Sequence, residues 1–109
     1  MKHFDLVYAN EMEHYIREHQ ALLVDVRERQ EYEREHWRGA VNIPYDMISG
    51  DFARLPKNRT VLLYCEHGGG SMQLASRLGR EGYSAATVVG GYEAMKKFQK
   101  NYFKNDRNV

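Results

Sequence analysis

The chain is poor in cysteine and proline, with one cysteine and two prolines among its 109 residues. A single cysteine excludes an internal disulfide, and with it the class of small secreted domains that disulfides hold together. No apolar stretch approaches the roughly 20 residues that cross a bilayer. Residues 1–5 also lack the apolar segment of a secretory signal. We therefore expect a cytoplasmic protein that has no membrane partner.

The charge balance gives no indication of a nucleic-acid partner. The chain has 16 Lys and Arg against 15 Asp and Glu, for a net charge of +1. Its 42% of hydrophobic and 28% of charged residues are typical of a soluble globular protein. Because this length is close to the commonest domain size, we expect a single domain over residues 1–109. Its motifs fall within about residues 4–98, with a basic helix or tail after them.

Short apolar runs alternate with amphipathic segments along the chain. Strands are predicted at 4–7, 21–26, 39–44, 60–64 and 86–89. Helices are predicted at 9–18, 28–35, in one or two turns within 45–55, at 71–80 and at 92–102. Strands separated by helices favour an α/β fold with a parallel sheet. Such sheets bind ligands beyond the carboxyl ends of their strands.

Cys65 lies at such a strand end and is followed by Glu66, His67, Gly68, Gly69, Gly70 and Ser71. A helix N-terminus and its unpaired amides stabilise an anion, and the thiolate is the reactive form of cysteine. Glycines can turn their amides inward to form an anion-binding nest. We therefore predict a thiolate, persulfide or oxyanion held by backbone amides. The alternatives are a small buried cysteine and a flexible glycine turn.

Two side chains near Cys65 have open roles. Ser71 is expected near the helix N-cap, where its hydroxyl can bond an amide or the sulfur. His67 can act as a base or cation near neutral pH. The simpler interpretation of His67 is a side chain that faces solvent.

These residues stand in longer motifs that resemble those of single-domain rhodanese-like sulfurtransferases. The residues 23–44 are similar to the family's D-V-R…E-(F/Y)…H-I-x-G-A-x-N-I-P, with Asp25, Val26, Arg27, Glu31, Tyr32, His36, Gly39, Ala40, Asn42, Ile43 and Pro44 in place. Residues 64–71 resemble the active-site pattern Y-C-x-x-G-x-R-S. Residues 75–92 are similar to the family's A…L…G-(Y/F)…L-x-G-G and include Gly90-Gly91.

The resemblance implies a rhodanese fold, with a central parallel sheet of about five strands and helices on both faces. It implies that Cys65 is the catalytic nucleophile and that the residues Glu66 to Ser71 bind the substrate. Sulfane sulfur would pass from a donor, such as thiosulfate, through a Cys65 persulfide to a thiophilic acceptor. The expected partners are a small sulfur donor or acceptor, or a sulfur-relay protein. No metal or organic cofactor is expected.

One position departs from the family pattern, because Gly70 stands where the family has an arginine. An arginine grips an anion through several hydrogen bonds, each worth about 1.5–3 kcal/mol when charge-assisted. We therefore expect weak thiosulfate:cyanide activity and a preference for a persulfide or protein donor. Arg38 or Arg77 could supply a substitute charge, although nothing local in the sequence places either at the loop.

Other motif residues are interpreted as structural rather than catalytic. Asp25 and Arg27 favour an ion pair that braces the fold, and by resemblance Arg27 pairs with Glu31 or a nearby carboxylate. Packing and turn roles are expected for His36, Trp37 and Asn42. The lysines of the C-terminal part form either a docking patch or the polar face of a terminal helix: Lys96, Lys97, Lys100 and Lys104.

Two other functions are weighed against sulfur transfer. Cell-cycle dual-specificity phosphatases share this architecture, but their loop needs an arginine six positions after the cysteine, where this chain has Ser71. A non-catalytic rhodanese-like binding or regulatory module is the main alternative. Such modules usually lack the cysteine that this chain keeps.

Overall fold

The computed structural model describes residues 4–98 and the backbone of residues 103–104. The strands are β1 (Asp5–Val7), β2 (Leu22–Asp25), β3 (His36–Trp37), β4 (Val41–Asn42), β5 (Val61–Tyr64), β6 (Ala85–Val88) and β7 (Phe103–Lys104). The helices are α1 (Met12–His19), α2 (Arg29–Arg34), α3 (Tyr45–Gly50), α4 (Gly69–Arg80) and α5 (Gly91–Phe98). Short 3₁₀ turns occupy Ala9–Glu11 and Phe52–Arg54.

Five strands form one parallel sheet in the order β1-β6-β5-β2-β4, which confirms the predicted α/β class. The central strand β5 is buried along its whole length. A continuous apolar run of this kind is typical of a parallel strand that is covered on both faces. The short strands β3 and β7 pair separately and antiparallel.

The alternation of side chains along β5 divides the core into two halves. Leu62 and Tyr64 pack on one face of the sheet, together with Met12 of α1 and Met95 of α5. On the opposite face, Val61 and Leu63 pack with Ile48 of α3 and Leu74 of α4. Successive strand residues point to opposite faces, so one strand serves both halves. The prediction of helices on both faces is confirmed.

The structure corrects the predicted start and buried face of α4. The helix begins at Gly69 rather than at Ser71, and its buried stripe is Ser71, Leu74, Ala75 and Leu78. Met72, which the sequence analysis places on the apolar stripe, is exposed. The earlier start makes Ser71 the third residue of the helix. Its neighbours at spacings of three, four and seven then fix the buried face.

The last predicted helix begins at Gly91 and is described as far as Phe98. Its predicted continuation to Tyr102, with Lys100 and the side chain of Lys104, lies outside the described residues. Within the described residues, no helix combines the length and the apolar character that a bilayer span requires.

Candidate active site

Cys65 lies at the carboxyl end of β5, where the central strand meets the N-terminus of α4. Its sulfur accepts hydrogen bonds from the backbone amides of Gly68 at 3.1 Å and Ser71 at 3.3 Å. The residue is partly buried. Amide donors at a helix N-terminus favour a negative charge on sulfur. This geometry matches the predicted cradle of amides.

The cradle is built differently from the expected nest of three glycines. Gly68 is in the left-handed region with φ 103°, and it is the N-cap of α4. A Cβ on Gly68 would lie 3.0 Å from the amide nitrogen of Gly90. Gly69 and Gly70 instead take helical geometry in the first turn. One left-handed residue therefore turns the chain, and the helix supplies the second amide.

A second glycine turn supports the loop from below. The amide of Tyr92 donates to the Cys65 carbonyl at 2.7 Å, and the amide of Glu93 donates to the Glu66 carbonyl at 3.2 Å. Gly91 has φ 60°, and a Cβ there would collide with the Cys65 carbonyl oxygen. The sequence analysis noted Gly90-Gly91 only as a family motif. Its role in the site follows from this close backbone approach.

Ser71 and Thr87 form a buried hydroxyl pair beneath the loop. The Ser71 Oγ lies 2.7 Å from Thr87 Oγ1 and 3.3 Å from the Gly68 carbonyl oxygen. Both residues are fully buried. The Ser71 hydroxyl was expected to bond a helix amide or the sulfur, but it does neither. The backbone amide of Ser71 bonds the sulfur instead. Thr87 was missed because a lone threonine in the apolar strand β6 carries no local signal.

His67 and Glu66 point away from the hydrogen-bonding shell of the sulfur. The His67 side chain is 70% exposed, and its Nδ1 lies 3.3 Å from Glu93 Oε1. This geometry agrees with the simpler interpretation of His67 as a solvent-facing side chain. The Glu66 carboxylate lies 3.8 Å from Nη1 of Arg27.

The open side of the site is at Gly70. A Cβ built on Gly70 would lie 3.6 Å from the ring of Tyr45 and 3.9 Å from the Cys65 sulfur, at ordinary contact distances. The missing arginine would therefore rise directly beside the sulfur. Arg77 donates instead to the Ser49 carbonyl at 3.4 Å. Tyr45 is a wall of the site that sequence reasoning did not identify.

Arg27 forms a buried ion pair with a nearby carboxylate, and its partner is Asp25. The Arg27 Nε and Nη2 donate to the Asp25 carboxylate at 3.0 and 2.7 Å. Burial alone would lower the pKa of Arg27, but the hydrogen bonds and charge of Asp25 outweigh it and raise the pKa above its ordinary value. The proposed Glu31 partner is wrong, because Glu31 accepts from the Glu28 amide at the start of its own helix. The pairing with a nearby carboxylate is correct.

The guanidinium of Arg27 also supports the cysteine loop. Its Cζ lies 4.2 Å from the centre of the Tyr92 ring, and Nη2 donates to the Glu35 carbonyl at 2.7 Å. Tyr92 is the residue whose amide bonds the Cys65 carbonyl. The buried pair therefore braces the second glycine turn and acts on the sulfur only through backbone.

The remaining motif residues have the packing and turn roles that were expected. Trp37 is fully buried, and the Asn42 amide donates to the carbonyls of Asp25 and Arg27 at 2.9 and 3.0 Å. The ring of His36 stacks on Tyr32. Lys96 pairs with Glu35 across the fold.

Known proteins share this architecture. The sequence model of the rhodanese-like domain matches residues 8–98. A tRNA sulfurtransferase of Desulfurococcus amylolyticus is 38% identical over 71 residues, which are 65% of this chain and 14% of that protein. The thiosulfate sulfurtransferase GlpE of Coxiella burnetii is 28% identical over 82 residues, or 74% of this chain and 77% of that protein. The crystal structure of reduced CoADR-RHD from Bacillus anthracis matches with a TM-score of 0.82 and 26% identity, covering 93% of this chain and 18% of that one.

Removing the Thr87 hydroxyl should weaken the cradle. Thr87→Val keeps the shape of the side chain but leaves Ser71 Oγ with one partner fewer, which costs about 1–3 kcal/mol. The first turn of α4 then holds its amides less firmly against the sulfur. We expect the alkylation of Cys65 by iodoacetamide at pH 7 to slow by roughly two- to fivefold. Thr87→Ser restores the hydroxyl and should restore the rate; equal rates in all three proteins would contradict this role.

Gly91→Ala should destabilise the whole domain. The substitution forces a Cβ into the left-handed region and against the Cys65 carbonyl, at a cost of about 2–4 kcal/mol. Urea unfolding would measure the loss. Gly69→Ala is the matched control, since a Cβ there meets nothing within 4 Å and should leave stability unchanged or slightly higher. Similar unfolding midpoints for the two variants would show that the close approach of Gly91 to the Cys65 carbonyl does not contribute to the free energy of unfolding.

Proposed function

Because this chain belongs to the rhodanese-like domain family, we propose that it is a sulfurtransferase that carries sulfane sulfur as a persulfide on Cys65. The observation that supports this most directly is the Cys65 sulfur between two amide donors, with an open face at Gly70. Amide donors favour the thiolate, which is the nucleophilic form of cysteine, and Cys65 is only partly buried. Both properties are required of a nucleophile.

The proposed reaction has two displacement steps. The Cys65 thiolate attacks the outer sulfur of the donor, the donor S–S bond breaks, and its electron pair leaves with sulfite or with a thiolate. The enzyme then holds a persulfide whose negative charge lies on the outer sulfur. An acceptor thiolate attacks that outer sulfur and releases the Cys65 thiolate. Charge and electrons balance without an oxidant or a metal.

The start of α4 can stabilise the persulfide. The amides of the first helical turn have no acceptor within the helix. Those of Gly68 and Ser71 already contact the Cys65 sulfur, and those of Gly69 and Gly70 lie between them along the chain. These donors are preorganised and cost no rearrangement during the reaction. An outer sulfur bound there would replace the solvent that now faces Gly70.

The nature of the donor follows from Gly70. Thiosulfate carries two negative charges on a compact group, and the position where the family has an arginine offers no side chain. We therefore propose that thiosulfate is a poor donor and that a persulfide, free or carried by a sulfur-relay protein, is a better one. We further propose that the protein works in the cytoplasm, where the reducing environment keeps its single thiol reduced.

Sulfur loading can be tested by intact-mass measurement. The protein is incubated with thiosulfate, or with a cysteine desulfurase and cysteine, and its intact mass is then measured by mass spectrometry. We expect an added sulfur atom on Cys65, with more complete loading by the desulfurase, and no adduct on Cys65→Ser. The absence of an adduct with either donor would reject the proposal in favour of a non-catalytic binding or regulatory module.

Restoring the family arginine should restore thiosulfate activity. Gly70→Arg places a cation beside the sulfur without a steric clash at Cβ. We expect kcat/KM for thiosulfate to rise about tenfold or more, mainly through KM, as a charge-assisted hydrogen bond predicts. Gly70→Ala controls for helix propensity. Gly69→Arg controls for net charge at a position that is open and does not face the sulfur. A rise in either control equal to that of Gly70→Arg would contradict the explanation.

A further inference from the structure

A groove of about 530 Å³ runs along the exposed face of α4 beside the candidate active site. Its lining consists of Phe4, Tyr45, Met72, Gln73, Ser76, Arg77 and Arg80. Tyr45 belongs to both the groove and the site, because its ring faces the point beside Gly70 that also faces the sulfur. The groove and the site therefore share the Tyr45 ring as a wall.

The groove is positively charged. Arg77 and Arg80 both line it, and none of its described lining residues carries a carboxylate. Arg77 Nη2 donates to the Ser49 carbonyl at 3.4 Å, and Arg80 Nη1 donates to Ser76 Oγ at 2.9 Å. Each of these bonds uses one of the five N–H donors of a guanidinium. The two arginines are thus oriented while keeping donors for an anion.

Another cavity that borders the cysteine loop has a different character. It is lined by Glu66, Tyr92, Glu93, Lys96 and Lys97, so its charges are mixed. An anion would meet two carboxylates there. The groove along α4 is the better anion site of the two.

The spacing along α4 sets the size of the ligand. Arg77 and Arg80 follow Gly70 by seven and ten residues, which places their Cα atoms roughly 10 and 15 Å further along the helix. Helical side chains lean toward the N-terminus, so both guanidinium groups are displaced toward the sulfur. A carboxylate at about 8–10 Å from a reactive sulfur would fit this arrangement. Thiosulfate is far too short to reach from Cys65 to either arginine.

We propose that the sulfur donor is an anionic low-molecular-weight persulfide of about tripeptide size, whose carboxylates bind Arg77 and Arg80 while its outer sulfur meets Cys65. This inference rests on the sulfurtransferase function proposed above. The Cys65 thiolate takes the outer sulfur, the donor S–S bond breaks, and the electron pair leaves on the donor's thiolate. The groove supplies, at the far end of the donor, the positive charge that Gly70 does not supply at the sulfur.

The test compares two persulfide donors that differ in charge. Glutathione persulfide carries carboxylates at a suitable distance from its sulfur, and N-acetylcysteamine persulfide is a short donor without carboxylates. We expect Arg77→Gln and Arg80→Gln each to raise KM for glutathione persulfide by about fivefold, and the double variant by tenfold or more. The kcat should change less than twofold, and KM for the donor without carboxylates should not change. The same KM for glutathione persulfide should rise with ionic strength.

The control and the contrary outcomes separate the two proposals. Arg29→Gln removes an exposed arginine of α2 that lies outside this groove, and it should leave every KM unchanged. Arg77 also packs near Phe52, so its substitution could disturb the fold. The Arg80 variant and the KM for N-acetylcysteamine persulfide would reveal such a general loss of structure. Equal KM values in wild type and both variants, with Cys65 still loaded by both donors, would overturn the groove and leave the sulfurtransferase standing. Failure of both persulfides to load Cys65, with loading by the cysteine desulfurase intact, would also overturn the groove. Failure of the desulfurase as well would overturn the sulfurtransferase itself.

Discussion

The contact between two stretches of backbone, at the cysteine loop and at the Gly90-Gly91 turn, is the constraint on which the site depends. The Cys65 carbonyl accepts the Tyr92 amide at 2.7 Å, a distance that the missing side chain of Gly91 makes possible. Because the Cys65 carbonyl points toward the Tyr92 amide, the amides that follow it in the loop face the opposite way, toward the sulfur. Gly68 completes that turn with a positive φ, and its amide reaches the sulfur. The position of the Cys65 sulfur therefore depends on glycines at both turns.

Polar groups are buried in this domain where they serve that contact. Asp25, Arg27, Ser71 and Thr87 are the buried polar residues of the described part of the chain. Asp25 and Arg27 support the Tyr92 ring, and Ser71 and Thr87 fix the first turn of α4. Burying a charge is costly unless it is paired and hydrogen-bonded, and the Arg27 guanidinium meets that condition with Asp25 and the Glu35 carbonyl. The buried polar residues thus identify the site as clearly as the cysteine does.

Local patterns in the sequence predicted the elements and the position of Cys65 at a strand end, but not the contacts between loops. The apolar run before Cys65 and the glycines after it predict a strand end and a helix start, and both are present. The sequence could not show that Gly91 approaches Cys65, or that Thr87 lies under Ser71, because each pair is far apart in the chain. Glu31 was favoured by the family resemblance, whereas Arg27 pairs with Asp25, two residues before it in the chain. The exposure of Met72 depended on a helix that starts two residues early.

Gly70 differs physically from the other glycines of the site. Gly68, Gly90 and Gly91 have positive φ, and a Cβ on any of them would meet a neighbour at 3.0 Å or less. Gly70 is helical and has room for a Cβ, so the backbone does not require glycine there. Glycine in a helix costs up to about 1 kcal/mol relative to alanine, and at this position it also forgoes a cation beside the sulfur. What this position gains is space between Tyr45 and Cys65. In our proposal this space receives the outer sulfur of a donor whose remaining length lies in the groove along α4, and an arginine side chain at residue 70 would compete for it.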